Sequence, residues 1–307
     1  MKSFLIFVLK SVVSFGSLYI VSRSIVWTDV GELLKHAHYS LMFFALVIFW
    51  AAQFFSALRC VYVARVLGGA LDLSTSLRAH FVGLWFNQVL PTSLGGDFIK
   101  MAMLRKPLGL SLAVRSAFLD RLSGLMFLLL ATAIALPLYA QLFLLHPDLV
   151  VALGFIAVGG GLTIILCAWA AHRVAKTTIL KPIVLKFIQI FSDIWEFKKG
   201  LPLWEQVWTS AIVHFTGIIT YVLIGLAFSV NVNFITFLLV VPVIFLITLI
   251  PVSYAGWGIR EAGSVWIFSM VGIEKEFSLA MSVSFGLLLV IAGMPGLLIL
   301  IFKKKEI

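Results

Sequence analysis

Leu90-Pro91-Thr92-Ser93-Leu94-Gly95-Gly96-Asp97-Phe98-Ile99-Lys100 and, 160 residues later, Ile250-Pro251-Val252-Ser253-Tyr254-Ala255-Gly256-Trp257-Gly258-Ile259-Arg260 each interrupt a long apolar run. The runs cover residues 80–104 and 234–271, and in each the Pro and Gly read as a helix that stops, turns and starts again. Aligned at that offset, the two stretches share Pro, Ser, Gly, Ile and a closing cation. Backbone groups freed inside a bilayer are costly unless protein or water satisfies them. Such a break therefore lies buried in protein or lines a polar cavity.

Composition places these breaks in a membrane. Hydrophobic residues make up 62% of the 307 and charged residues 12%, against about 45–50% and about 25% in soluble domains. Too few polar side chains are available to cover a water-soluble surface. A soluble enzyme, a disordered chain and a secreted disulfide scaffold are excluded. Six stretches approach the roughly 20 apolar residues of a spanning helix: 4–22, 40–58, 118–138, 149–171, 207–229 and 278–302. The expected fold is an all-α polytopic membrane protein, one integral domain over residues 1–307. It has six full spans plus two broken or re-entrant helices, about eight helical segments. The first apolar stretch runs into Arg23 and Trp27 rather than a small-residue cleavage site, so it reads as a retained helix.

Charge orients the spans. The formal net charge is +10, and beside membrane helices its natural partner is the anionic lipid surface rather than nucleic acid. With both termini cytoplasmic, 19 of the 23 Lys and Arg fall inside and Arg23, Lys35, Arg260 and Lys275 fall outside, as the positive-inside rule requires. Two repeat units, about 40–138 and 207–302, then face opposite ways. Inverted duplication around broken helices is a transporter pattern. Between them, residues 172–205 place Ile179, Ile183, Phe187, Ile190, Ile194 and Phe197 near helical spacing. That reads as an amphipathic cytoplasmic linker on the bilayer, or else as a partner-binding helix.

Candidate site residues gather at the breaks. Helix N-termini there suit a phosphate or carboxylate, and Gly95, Gly96, Gly256 and Gly258 would let backbone approach it; tight-packing kinks are the competing reading. Ser93 and Ser253 occupy matching places. Asp97, Lys100, Asp120, Arg121, Arg260 and Glu261 lie in or beside apolar segments, where an unpaired charge is expensive. Sequence neighbours on a helix do not face each other, so crossed pairing between units is expected for Asp120-Arg121 and Arg260-Glu261. Arg121 and Arg260 can grip phosphate with a two-pronged hydrogen bond, whereas Arg59 reads as a snorkelling anchor. The six histidines lack zinc-site spacing, and no cofactor or metal is expected. Gly159-Gly160-Gly161 reads as close helix packing, and Cys60 and Cys167 as two buried small hydrophobes.

These motifs together resemble the lysylphosphatidylglycerol synthase transmembrane-region family over about residues 10–300. The resemblance rests on Pro91-x-Ser93-x-Gly95-Gly96-Asp97-x-x-Lys100, Asp120-Arg121-Leu122-x-Gly124-Leu125 and Pro251-x-Ser253-x-x-Gly256-Trp257-Gly258-Ile259-Arg260-Glu261. Lys100 departs from the family's more usual Arg. The resemblance implies a flippase moving an anionic, aminoacylated or sugar-linked lipid between leaflets of a bacterial inner membrane, and not an enzyme. A phospholipid or lipid-linked substrate is the implied partner, and a homo-oligomer or separate synthase partner fits a stand-alone member. Competing readings are a membrane-embedded enzyme or accessory subunit acting on lipid-linked sugars, and a small-solute carrier.

Overall fold

The computed structural model describes residues 2–90, 95–142, 144, 146–174, 188–198, 201–230, 233–249 and 253–302. The described residues form twelve α-helices, with no strand among them. The helices are α1 (Lys2–Ser22), α2 (Trp27–Lys35), α3 (Tyr39–Val66), α4 (Leu73–Val89), α5 (Gly95–Ile134) and α6 (Leu136–Leu142). They continue with α7 (Pro147–Gly154), α8 (Gly160–Val174), α9 (Leu201–Ala227), α10 (Phe234–Thr248), α11 (Ile259–Met270) and α12 (Lys275–Phe302). Five segments are long and apolar enough to cross a bilayer: Tyr39–Val66, Gly95–Ile134, Pro147–Val174, Pro202–Ala227 and Lys275–Phe302. The sixth expected span falls on α1, of which Ser11–Ser22 is a shorter apolar helix among the described residues. The chain is a multi-pass membrane protein.

Both expected breaks separate helices. Helix α4 ends at Val89 and α5 begins at Gly95, while α10 ends at Thr248 and α11 begins at Ile259. The span expected at 118–138 is instead part of a 40-residue helix whose path bends at Gly109, φ 76° and ψ 160°, just after Pro107. Arg115, just before the expected start, pairs with Asp193, and Asp120, inside the expected span, pairs with Arg59. Residues Pro147–Val174 form one span, in which Phe155–Gly159 take a π-helical turn between α7 and α8.

The chain sorts into two compact units, each interleaved from several segments. One holds Met1–Gln53, His80–Lys100 and Phe215–Ile307; the other holds Phe54–Ala79 and Met101–His214. In the first, Tyr221 stacks on Phe285 at 4.4 Å between ring centroids, beside Phe245 and Phe268. Helix α12 meets α4 through glycines: a methyl at Gly296 would strike the Phe81 carbonyl, and one at Gly293 the Trp85 backbone. In the second unit, small residues Cys60, Ala64, Ala79 and Ala113 pack with Leu104 and Leu108.

Three sequence expectations are corrected here. Cys60 is buried but Cys167 is exposed, which an apolar helix facing lipid tolerates. A methyl at Gly159 or Gly161 would meet nothing within 4 Å, so those glycines do not serve close packing. Arg59 is 5% exposed and does not snorkel, because a carboxylate inside the unit pairs with it. The linker's residues 175–187 lie outside the described residues. Its described end turns inward: Phe197 packs on Val63 and Leu119, and Asp193 pairs with Arg115 at 2.5 Å.

Candidate functional site

The second break builds a site within the first unit. The chain passes Ala255 (φ 50°), Gly256 (φ 83°) and Gly258 (φ 86°) in left-handed conformation before α11 starts, a region that glycine enters without steric cost. Helix α1 holds the turn, with Ser14 Oγ accepting the Tyr254 N–H at 2.9 Å. At Gly258 a side chain would collide with the Ser14 carbonyl and the Ser17 hydroxyl.

Two charges then enter the first turn of α11. Arg260 is 2% and Glu261 0% exposed. Glu261 Oε2 accepts the Gly258 N–H at 2.6 Å, while Oε1 accepts from Arg260 Nε at 3.0 Å and Nη2 at 2.6 Å. Ser282 Oγ of α12 donates to the same oxygen at 3.3 Å. The expected crossed pairing is therefore corrected: Arg260 and Glu261 pair with each other. In the first turn a third-position carboxylate folds back to cap the helix, which brings it under its neighbour's guanidinium. That guanidinium also lies over the Trp257 ring, 4.6 Å from its centroid. Gly286 makes room for it, since a methyl there would strike Arg260 Nη2.

Arg260 faces a cavity of about 190 Å³, whose lining includes Asn87, Gln88, Thr248 and Gly256 together with Phe245 and Phe285. Gly256 leaves its wall open, because a side chain there would meet nothing within 4 Å. Asn87 is spent inside the protein, accepting the Gly96 N–H at 2.8 Å. Gln88 Oε1 is buried without a hydrogen-bond partner among the described residues, as is Ser253 Oγ nearby in sequence. A buried orphan of this kind is costly and suits a ligand that donates to it.

The remaining expected residues divide. Gly95, Gly96, Asp97 and Lys100 open α5. Gly96 fits against the Gly83 carbonyl of α4, and Gly95 against Leu90, so both serve helix contact rather than approach to a ligand. Lys100 is buried and Asp97 half-buried, each with partners inside the protein. Ser93 lies outside the described residues. Asp120 and Arg121 belong to the second unit and are not part of the Arg260 cavity. There Asp120 Oδ1 accepts from Arg59 Nε at 2.8 Å, and Arg59 Nη1 donates to Ser210 at 3.0 Å. Gly124 sits under Arg59 Nη1, and its carbonyl accepts from His214 Nε2 at 3.0 Å.

Sequence reading missed Asn87, Gln88 and Thr248 as site residues, although Asn87-Gln88 within an apolar run was a usable signal. It also missed Ser282 and Gly286. Their four-residue spacing on α12 puts them on one helix face, but nothing in it points to Arg260.

These features define a class: an all-helical, multi-pass membrane protein with a charged pair buried at a broken helix beside a polar cavity. Within that class the chain belongs to the lysylphosphatidylglycerol synthase TM region family, whose model matches residues 7–296. The match is to that membrane region and not to a catalytic synthase domain. No curated protein and no solved structure matches the chain.

Proposed function

We propose that this protein moves an anionic, aminoacylated or sugar-linked lipid between leaflets, with Arg260 receiving the headgroup phosphate in the cavity beside Gln88 and Gly256. One observation carries the reading. Arg260 gives Nε and Nη2 to Glu261, while Nη1 has no hydrogen-bond partner among the described residues. A guanidinium so held offers its remaining N–H groups in fixed geometry, the arrangement that recognises phosphate oxygens. Glu261 offsets the charge, so the site binds through directed hydrogen bonds rather than as a deep electrostatic trap. Release of the lipid on the far side then stays feasible.

An inverted repeat supplies the two-sidedness that translocation needs. Helix boundaries support it at the offset of 160: α3 and α4 in the first half answer to α9 and α10 in the second. The bend at Gly109 answers to the left-handed Gly272 between α11 and α12. Both termini lie in the cytoplasm in this reading, and Arg121, with Lys100 secondarily, handles the headgroup on the cytoplasmic side.

Headgroup translocation in proteoliposomes tests the role of Arg260. Arg260→Ala should lose roughly tenfold or more, since about 1.4 kcal/mol is a factor of ten in binding, and Arg260→Lys should fall between. Removing one partner of a buried pair destabilises by about 3–5 kcal/mol, so R260Q/E261Q, which removes both charges, accompanies them as a folded control. Wild-type rates in that double variant would discard the site.

A further inference from the structure

A second cavity, about 500 Å³, lies wholly within the other compact unit, and its volume falls in the roughly 300–1,000 Å³ range of ligand sites. Its length is apolar: Leu122, Met126, Phe127 and Leu130 of α5 face it with Ile165 of α8. From Leu119 to Leu130 these α5 residues run about 16 Å along the helix axis. One end is different. There Leu203, Gln206 and Val207 come from the first turns of α9, and Ile194, Trp195 and Phe197 from the preceding short helical turn.

Gln206 is 6% exposed, and neither its Nε2 nor its Oε1 has a hydrogen-bond partner among the described residues. An amide buried with both ends unmet costs free energy, and an occupant with an ester carbonyl would accept from its Nε2. The end wall is fixed around it, with Trp195 Nε1 donating to the Ala168 carbonyl at 2.9 Å and Phe197 seated on Val63 and Leu119.

We infer that this cavity binds a membrane glycerophospholipid, separately from the Arg260 site: one acyl chain lies along the α5–α8 wall and its glycerol ester sits at Gln206. The distribution of polarity argues for this occupant. Three segments apolar and long enough to span a bilayer contribute the walls, so hydrocarbon is the solvent outside. The unmet amide stands in the second turn of α9, near a span end, while the apolar wall runs toward mid-span. That gradient matches a lipid's ester-to-tail axis. A second copy of the chain would leave an amide facing side chains chosen for hydrocarbon.

Photo-crosslinking settles it. The full chain is placed in phosphatidylglycerol vesicles carrying a diazirine on the acyl chain, irradiated, and the labelled residues mapped. Labelling at Met126 and Phe127 should exceed that at Phe155 and Ile156, exposed apolar residues of the Pro147–Val174 span, by about tenfold. Equal labelling means ordinary lipid contact and overturns the proposal; chain-to-chain crosslinks at this face assign it to a second copy and do the same. Leu122→Trp, which fills the cavity, should abolish the excess. Gln206→Leu should lower it about fivefold, as expected for one lost hydrogen bond, while raising the melting temperature of delipidated protein by removing the orphan amide. R260Q/E261Q, the folded control above, should leave the labelling unchanged, so failure here and failure of the translocation reading are separable.

Discussion

Arg260 keeps its position because Gly286 has no side chain. A methyl at 286 would strike Nη2 and crowd the Trp257 ring at 2.7 Å. The far end of a flexible arginine can yield, so Gly286→Ala should fold, with an overpacking cost of about 1–3 kcal/mol, yet lose most translocation as the guanidinium leaves Glu261. Gly296→Ala should do the opposite. Its methyl meets the Phe81 carbonyl, which cannot move aside, so it should unfold in detergent well below the wild-type temperature. Thermal unfolding and translocation measured together on both variants check the contrast; a parallel loss in both would break it. The pairing of Arg260 with Glu261 was illegible beforehand for a physical reason. The rule that neighbours do not face each other holds inside a helix, whereas Glu261 occupies a first turn and folds back onto Gly258.

Among the elements, α4 depends on a cap. Asp72 Oδ1 accepts the Thr75 N–H at 2.8 Å, and the Thr75 hydroxyl and N–H hold this carboxyl below its usual range. A lowered native pKa adds stability that is complete above the unfolded value, about 3.9, and is lost as pH falls through the native one. Asp72→Ala should cost about 1 kcal/mol at neutral pH, typical of an N-cap, and the gap to wild type should close in acid. Denaturant titrations at pH 7 and at a series of pH values below about 3.9 would show it; a gap that does not narrow as pH falls contradicts the capping account. The breaks at 90–94 and 249–258 were readable because Pro, Gly and polar residues cluster there within apolar runs. The continuity of α5 was not. Four cations between residues 105 and 121 depress its hydropathy, and a tertiary partner such as Asp193, which pairs with Arg115, is invisible in the local sequence. A straight 40-residue rod would measure about 60 Å, and the bend at Gly109 relieves that length.

For the whole molecule, the charge map and the family agree on a multi-pass protein, and the positive-inside rule predicts the side each loop occupies. Asp148 stands in the first turn of the Pro147–Val174 span, and Lys199 follows that span in the sequence. In a chain with Cys60 and Cys167 replaced, an impermeant thiol reagent should reach Asp148→Cys from outside the cell and leave Lys199→Cys unlabelled. The reverse pattern would invert the topology and the direction assigned to Arg260. The number of apolar segments was readable from composition because hydrocarbon imposes a simple length requirement. The cavities were not, since each is assembled from residues far apart in the chain: Gln88 with Arg260, and Leu122 with Gln206.

The π-helical turn at Phe155–Gly159 bears on how this chain tolerates length change. Such a turn holds one residue more than an α-helix needs. Excising Ile156 should therefore regularise the helix and keep Leu149, Leu153 and Ala168, buried on its inward side, in phase. The same excision at Ile164 would rotate everything beyond it by about 100° and swing Ala168 toward lipid. The turn is a site where the gene can lose a codon without the span losing its face.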